Sequence, residues 1–567
     1  MEKDQIAEAF IEVLNANGVE CVFFNPGSTV APIQAAFMKY KAAGRRTPRL
    51  VLCLDESVAM AAAHGHYMIS GRPQVVMAHD ELGTLQIGGA MHNAQWGRIP
   101  VILWAGKTPS YQRADWQGAP FDICRTMRSC VKWDHMLDSG EDIHDVLQQA
   151  FRTAFTEPCG PVHLSYPQEI LIEEVDRVPV TTSAPNAISS AATADAEGLD
   201  KAAGMLLKAQ NPFILAGYTG RYPESVTLLI ELSETLGAPV LSGLTRMNFP
   251  TTHPLSAGIE DIGGSRKPNP YIADADVLLV IDYDIPYVPA EGFPRKDAKI
   301  IHMDIDPMTQ GRPLWQRGAD LFIEADSREA IPALNKIISR RLTPERRAVI
   351  HERSIRLEAK HRKERGEWRA LGVNSADQRP VSPDWLGRCI SDVVDEDTII
   401  INHVISHSAS VTEQIERTKP GTFLGCAGGA IQWALGAALG AKMAAPDRTV
   451  VSLMTDGGFV WGCPLATLWS ASSYHAPFLS VIFNNQSYGV IRGLVRRLSG
   501  TELSDKMGFE LGVDIVPPPE YSLVAKACGG YGRTVDDPAD VPRALKEAMN
   551  QVKNGKPAVV DVRLAKG

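Results

Sequence analysis

Short apolar runs alternate with alanine-rich stretches along nearly the whole chain. "VECVFF", "RLVLCL", "PQVVMA" and "IPVILWAG" come first; "NPFILAG", "APVLSG", "DVLLVID" and "AKIIHMDIDP" follow; "DTIIIN", "RTVVSLM", "FLSVIFNN" and "PAVVDVRL" close the series. Runs this short and this uniformly apolar, bounded by turn residues, read as strands buried on both faces, and the alanine-rich stretches between them read as covering helices. The pattern predicts an α/β protein of three doubly wound parallel-sheet domains, over residues 1–182, 195–342 and 375–567. Two breaks separate them. "VPVTTSAPNAISSAATADAEG" has the composition of a surface linker, and "SRRLTPERRAVIHERSIRLEAKHRKERGEWRALG" that of a charged, solvated connecting helix. No short repeat is present, and the three blocks resemble one another only in element order.

Length agrees with this division, because 567 residues exceed what one hydrophobic core holds. Asp and Glu number 66 against 57 Lys and Arg, a net charge of -9, so no basic excess is available to neutralise nucleic acid phosphates. The opening "MEKDQIAEAFIEVLNANGVE" reads as an amphipathic helix and lacks the basic start of a targeting signal, and no window reaches the roughly 18 uncharged apolar residues of a membrane span. The expected setting is the cytoplasm. The nine cysteines are scattered and odd in number, as reduced buried residues are. His64 and His66 lie two apart on a predicted helix and face apart, which argues against a zinc pair.

Candidate chemistry collects at strand ends. In "TVVSLMTDGGFVWGCPLATLWSASSYHAPFLSVIFNNQSYG" one strand ends at Asp456-Gly457-Gly458 and the next at Asn484-Asn485. Both polar ends fall on the carboxyl edge of one parallel sheet, where open α/β folds bind ligands. A carboxylate, an amide oxygen and a main-chain carbonyl suit the all-oxygen shell of Mg²⁺, and glycines let backbone N–H groups approach a phosphate. Asp-Gly-Gly alone is more often a turn; the partner at the next strand end is what raises the metal reading.

This pairing resembles the GDG…NN signature of the thiamine-diphosphate-dependent enzymes, the group of acetolactate synthase, pyruvate oxidase and benzoylformate decarboxylase. The resemblance implies Asp456, Asn485 and the carbonyl of Ser487 as Mg²⁺ ligands, with Gly457 and Gly458 beside the diphosphate. Thr455 stands where the family usually has glycine. "FLGCAGGAIQWALGAALG" resembles the family's stretch in which a glycine carbonyl meets the aminopyrimidine and an apolar residue props the bent cofactor, which falls on Gly429 and Ile431. "INHVISHSASV" resembles a diphosphate-contacting strand end, with Ser406 as its side-chain contact; His403 and Ile405 replace other polar groups there.

The first block resembles the pyrimidine-binding domain. In "RLVLCLDESVAMAAAHGHYMISG" the activating glutamate falls on Glu56, which also has the simpler reading of an acidic residue at a helix start. "VFFNPGSTVAP" resembles the NPGS loop of the benzoylformate decarboxylase branch and places Ser28 at the substrate carboxylate or carbonyl. "MAHDELGTLQIGG" resembles that branch's histidine stretch, with His79 exchanging a proton with the substrate oxygen and Gln86 in place of the family's Asn.

What the resemblance implies is a pyrimidine–middle–diphosphate domain order, thiamine diphosphate and Mg²⁺ as cofactors, and sites shared between two chains of a homodimer or homotetramer. The implied reaction is decarboxylation of a 2-oxo acid, or a related carbon–carbon cleavage or carboligation. Acetolactate synthase-like joining of two 2-oxo acids and 2-hydroxyacyl-CoA lyase chemistry are alternatives. A non-catalytic scaffold on the same architecture is the alternative from another class. "IDYDIPYVPAEGFPRKDAKIIHMDIDP" lacks the arginine-rich pattern associated with a flavin site, so FAD is not expected.

Overall fold

The computed structural model describes residues 3–109, 123–138, 142–176, 194–260, 269–284, 294–308 and 318–565. Residues 178–193 of the linker read at 178–198, and all of "IPYVPAEGF", lie outside the described residues; the linker's end instead opens the helix Ala196–Lys208, capped by Asp195.

Three six-stranded sheets form the three domains, and every pairing within them is parallel. The first sheet holds, side by side, the strands Arg49–Leu52, Cys21–Phe24, Gln74–His79, Val101–Lys107, Val162–Pro167 and Trp133–Met136. The third holds Phe423–Gly425, Ile399–His403, Val450–Thr455, Leu479–Asn484, Ala558–Arg563 and Tyr531–Val535. Counted along the chain within each domain, both run in the order 2-1-3-4-6-5. The middle sheet, Ser256–Ile259, Val240–Ser242, Pro212–Ala216, Val277–Ile281, Lys299–Asp304 and Leu321–Glu324, runs 3-2-1-4-5-6, the order of dinucleotide-binding folds.

The central strands are buried throughout their length, as their apolar runs predict: Val450–Met454 and Leu479–Asn484 have no exposed position. The connector is a single helix, Pro344–Asn374, capped at its start by Thr343. One expectation needs correction. The N-terminal stretch is not helical from its start: Lys3–Gln5 pairs antiparallel with Glu174–Asp176, and the helix begins at Ile6. The two three-residue strands form a small sheet of their own, and Gln5 then caps the helix reciprocally with Glu8.

The outer domains are joined backbone to backbone. The helix Glu56–Ser70 runs along the helix Trp433–Ala444, and a methyl group on Gly440 would lie 1.8 Å from the carbonyl oxygen of Ala62, one on Gly65 2.1 Å from that of Ala437. Only glycine fits at either crossing. The middle domain is held by charge instead. Arg98, buried and at φ 54°, donates to Asp284 at 2.8 Å and to both oxygens of Asp304 at 3.1 and 2.9 Å. Those aspartates lie at the carboxyl ends of two adjacent strands, the fourth and fifth of the middle domain, and Arg98 bridges them. Arg221 extends the network to Glu157 and Asp282.

Candidate functional site

In an open parallel sheet, ligands bind where neighbouring strands send their connections to opposite faces. In the first and third sheets that place lies between the first and third strands of each, beyond Phe24 and His79 in one and beyond His403 and Thr455 in the other. The candidate residues gather there.

At the first crossing, the loop after Phe24 turns through Pro26 and Gly27 into a short helical turn, Ser28–Val30. The ring of His79 lies against Gly27, where a methyl group would come within 2.2 Å of its Cγ. His79 Nδ1, rather than Nε2, shares a 2.9 Å hydrogen bond with Thr29 Oγ1. Asp80 sits at φ 51°, a left-handed conformation costly for a non-glycine residue. It is held there by the bonds its carboxylate accepts from Thr108 Oγ1 (2.9 Å) and Glu81 N (2.7 Å). That turn fixes the angle at which His79 leaves the strand.

Glu56 is the first residue of its helix, behind Asp55, which caps the N–H groups of Ser57 and Val58. It is half-buried; its Oε1 accepts from Asn25 Nδ2 at 3.2 Å and packs against Gly83. Glu56 and His79 thus share one wall, joined by the Asn25–Gly27 loop. Ser28 is exposed at its rim. Gln86 is exposed and donates to Asp55 at 3.3 Å, so it supports the Glu56 helix start.

At the second crossing, Asp456 opens the helix Asp456–Trp461 and is buried, with Oδ1 accepting from Gly457 N at 2.9 Å. Its Oδ2 is buried without a partner, as is Asn485 Nδ2. Burial pushes the Asp456 carboxyl up to about 6, against the opposing pull of backbone N–H groups from Gly457, Gln486 and Ser487. Asn485 Oδ1 accepts from Ser487 N at 3.2 Å. Gly489 brings Ser406 to the same place: a methyl group there would lie 2.8 Å from Ser406 Oγ and 2.9 Å from Asn485 Nδ2. Gly458 approaches the Ile431 carbonyl, and Gly429 faces open space.

Thr455 acts as a helix cap. Its Oγ1 accepts from Gly458 N at 3.2 Å, ordering the turn that a glycine would leave free. The first asparagine of the pair points inward, donating at 2.8 Å to buried Asp561, whose own carboxyl burial also pushes up to about 6. His403 is buried edge-on to Trp433, and burial lowers it to about 4, so it stays neutral. Cys463, at φ 46°, lies beside Asp55, and burial followed by that carboxylate raises its thiol to about 11. It is no ready nucleophile.

Asn25, Thr29, Asp80 and Asp561 escaped sequence reasoning. Asn25 and Thr29 flank the quoted Pro-Gly-Ser and could have been found by asking what orients His79; nothing in the sequence marks Asp80 or Asp561. Within one chain, no hydrogen bond or ion pair among the described residues links Glu56, His79 or Ser28 to Asp456, Asn485, Ser487 or Ser406.

Family models match all three domains in order: the N-terminal TPP binding domain of thiamine pyrophosphate enzymes at residues 4–127, the central domain at 199–334 and the C-terminal TPP binding domain at 405–562. Benzoylformate decarboxylase of Pseudomonas aeruginosa is 25% identical over 560 residues, 96% of each chain. A probable acetolactate synthase large subunit of Methanocaldococcus jannaschii is 25% identical over 577 residues, 98% of this chain and 91% of that one. The crystal structure of benzoylformate decarboxylase from Polynucleobacter necessarius superposes with a TM-score of 0.82 over 99% of both chains at 21% identity, which shows a common fold. With its three domains matched in sequence order and its two polar crossings in the outer pair, the chain belongs to the thiamine-diphosphate-dependent enzyme family.

Proposed function

We propose that the protein is a thiamine-diphosphate- and Mg²⁺-dependent decarboxylase of 2-oxo acids, of the benzoylformate decarboxylase-like kind, with each site built between two copies of the chain. The observation that carries this reading is the pair of buried, unpartnered polar atoms at Asp456 and Asn485. A desolvated carboxylate oxygen without a donor is costly unless a cation or proton meets it.

The donor set fits Mg²⁺. Asp456 Oδ2 is open. The Ser487 carbonyl accepts one bond, from Gly489 N at 2.9 Å, and keeps a second lone pair. Asn485 Oδ1 accepts one bond, from Ser487 N, and keeps a second lone pair, while its unpartnered Nδ2 stands at the diphosphate side. Ser406 Oγ and the N–H groups of Gly457 and Gly458 stand at the diphosphate side. Ile431 would support the thiazolium and the Gly429 carbonyl would receive the aminopyrimidine. When bound, thiamine diphosphate supplies a nucleophilic carbon and the sink for the electron pair released with carbon dioxide.

The remaining work belongs to the chain. Glu56 holds a proton at the pyrimidine N1′, with Asn25 fixing its carboxyl. His79 Nε2 exchanges a proton with the substrate oxygen, its ring held by Thr29 and Gly27. Ser28, at the exposed rim, meets the substrate carboxylate. By the family resemblance a second copy completes each site, Glu56 coming from one chain and Asp456 with Asn485 from the other, in a homodimer or a pair of such dimers. The branch is favoured by the Asn25–Ser28 loop and His79 together.

Acetolactate synthase-like carboligation is the second reading, supported by the equal identity to the M. jannaschii protein. The test is titration with thiamine diphosphate and Mg²⁺, followed by product analysis with benzoylformate, pyruvate, branched 2-oxo acids and a 2-hydroxyacyl-CoA. Carbon dioxide with an aldehyde is the expected outcome. An acetohydroxy acid from pyruvate would move the assignment to the synthase, cleavage of the CoA ester to a lyase, and failure to bind thiamine diphosphate would leave a non-catalytic scaffold.

A further inference from the structure

The loop Gly428–Ile431 has little to hold it in place. It lies between the strand Phe423–Gly425 and the helix Trp433–Ala444, and Gly429 and Ala430 belong to neither element. One side chain ties it to the first domain. Asn93 Nδ2 donates to the Ala430 carbonyl at 2.8 Å, and Asn93 Oδ1 accepts from Ala430 N at 3.1 Å. The amide thus pairs with both polar groups of a single residue, as a neighbouring strand would. Asn93 is fully buried, and its fit is close: a methyl group on Gly428 would lie 2.2 Å from its Oδ1, and one on Gly89, a turn earlier on the same helix, 2.6 Å from Gln432 Nε2.

We propose that Asn93 is the positioning residue of the cofactor loop, setting the directions of the Gly429 carbonyl and the Ile431 side chain through its two bonds to the residue between them. The inference rests on the cofactor reading of that loop given above. Asn93 does not reach the cofactor itself. No other side chain supplies a donor and an acceptor at this reach: aspartate keeps only the acceptor, serine is too short, and glutamine's extra methylene has no room against Gly428. Asn93 also sits on the helix Asp80–Trp96, which His79 caps at its other end. The helix that presents His79 to one composite site therefore holds the loop of the other.

The test compares Asn93→Ala and Asn93→Asp with the unaltered protein, and uses Ser233→Ala as a control. Ser233 spends its hydroxyl on the Ala238 carbonyl in the middle domain, so its loss lowers stability away from the loop. Two measurements are made: the Kd of thiamine diphosphate with Mg²⁺, and amide hydrogen exchange over residues 426–432 without cofactor. Asn93→Ala is expected to raise Kd by about 10–100-fold, the usual effect of removing a group that orients a binding residue, and to speed exchange within that loop. Asn93→Asp should retain protection of the Ala430 N–H but still bind weakly, because a carboxylate then faces the Ala430 carbonyl. Ser233→Ala should change neither measurement. Unchanged Kd or unchanged loop exchange in Asn93→Ala overturns the proposal. Should that variant fail to fold, Asn93→Asp, which keeps the volume, carries the same two readouts, and wild-type values for it are equally decisive against the proposal. If the unaltered protein binds no thiamine diphosphate, the cofactor reading fails, while loop exchange still reports on the clamp.

Discussion

The first and third sheets share one strand order and open at the same crossing, yet they place opposite kinds of chemistry there. The first offers a half-buried carboxyl and an imidazole, each already tied to a neutral partner, Asn25 and Thr29. The third offers buried atoms with nothing to bind, Asp456 Oδ2 and Asn485 Nδ2. On the proposed reading, one wall moves protons and the other receives a charged group. Topology selects the location, and the few residues after each strand select the chemistry. The middle sheet reinforces the point: the ends of its fourth and fifth strands carry two buried aspartates, and both are already paired with Arg98.

The sharpest way to break this comparison is to remove the proton from the first wall. Glu56→Gln is expected to lower turnover about 10²–10⁴-fold at saturating thiamine diphosphate and Mg²⁺, the range for a general acid–base group, with cofactor affinity nearly retained. Steady-state and single-turnover rates check it, and unchanged turnover would return Glu56 to being a helix-start residue. Next in size is the buried ion-pair cluster of the middle domain. Arg98→Met leaves Asp284 and Asp304 buried together, and loss of about 3–5 kcal/mol is expected in chemical denaturation, as when one member of a buried ion pair is removed.

The seam between the two walls comes third. Gly440→Ala drives a methyl group into the Ala62 carbonyl and should cost about 1–3 kcal/mol or more by overpacking, read as a lower unfolding midpoint, whereas the open position Gly493 should tolerate alanine. Fourth is acid sensitivity. Burial lowers His64 to about 3, below the usual value near 6.5, so the unfolded chain takes up a proton that the fold refuses. Its contribution is complete above about pH 6.5 and declines as pH falls toward 3, amounting to about 1 kcal/mol near pH 5.5. His64→Gln should flatten the fall of the thermal midpoint between pH 7 and 5. The smallest effect belongs to Thr455→Ala, which removes a helix cap worth about 1 kcal/mol; Thr455→Ser should restore it.

Much of this architecture was legible in the chain. Apolar runs such as "VVSLM" and "LSVIF" have no surface of their own and must be buried strands, and their spacing leaves room for crossover helices. Asp456, Asn485 and Glu56 were legible only as a set, because each has a commoner reading as a turn or helix-start residue. The residues that escaped are those whose importance is a matter of shape. Asp80 looks like any acidic residue at a helix start until its positive φ is seen. Asn93 resembles a polar helix residue until a loop more than three hundred positions away is found against it. The strand at Lys3–Gln5 was hidden because its partner lies at the far end of the first domain.

The backbone-to-backbone seam between the helices Glu56–Ser70 and Trp433–Ala444 also governs how this molecule can be recombined. A chimera that took its first domain from one relative and its third from another would match each sheet with its own helices, yet it would close only if the two parents kept the backbone approach made here at Gly65, Gly436 and Gly440. The unit of exchange is the pair of helices, and a hybrid that carries both from a single source keeps that approach.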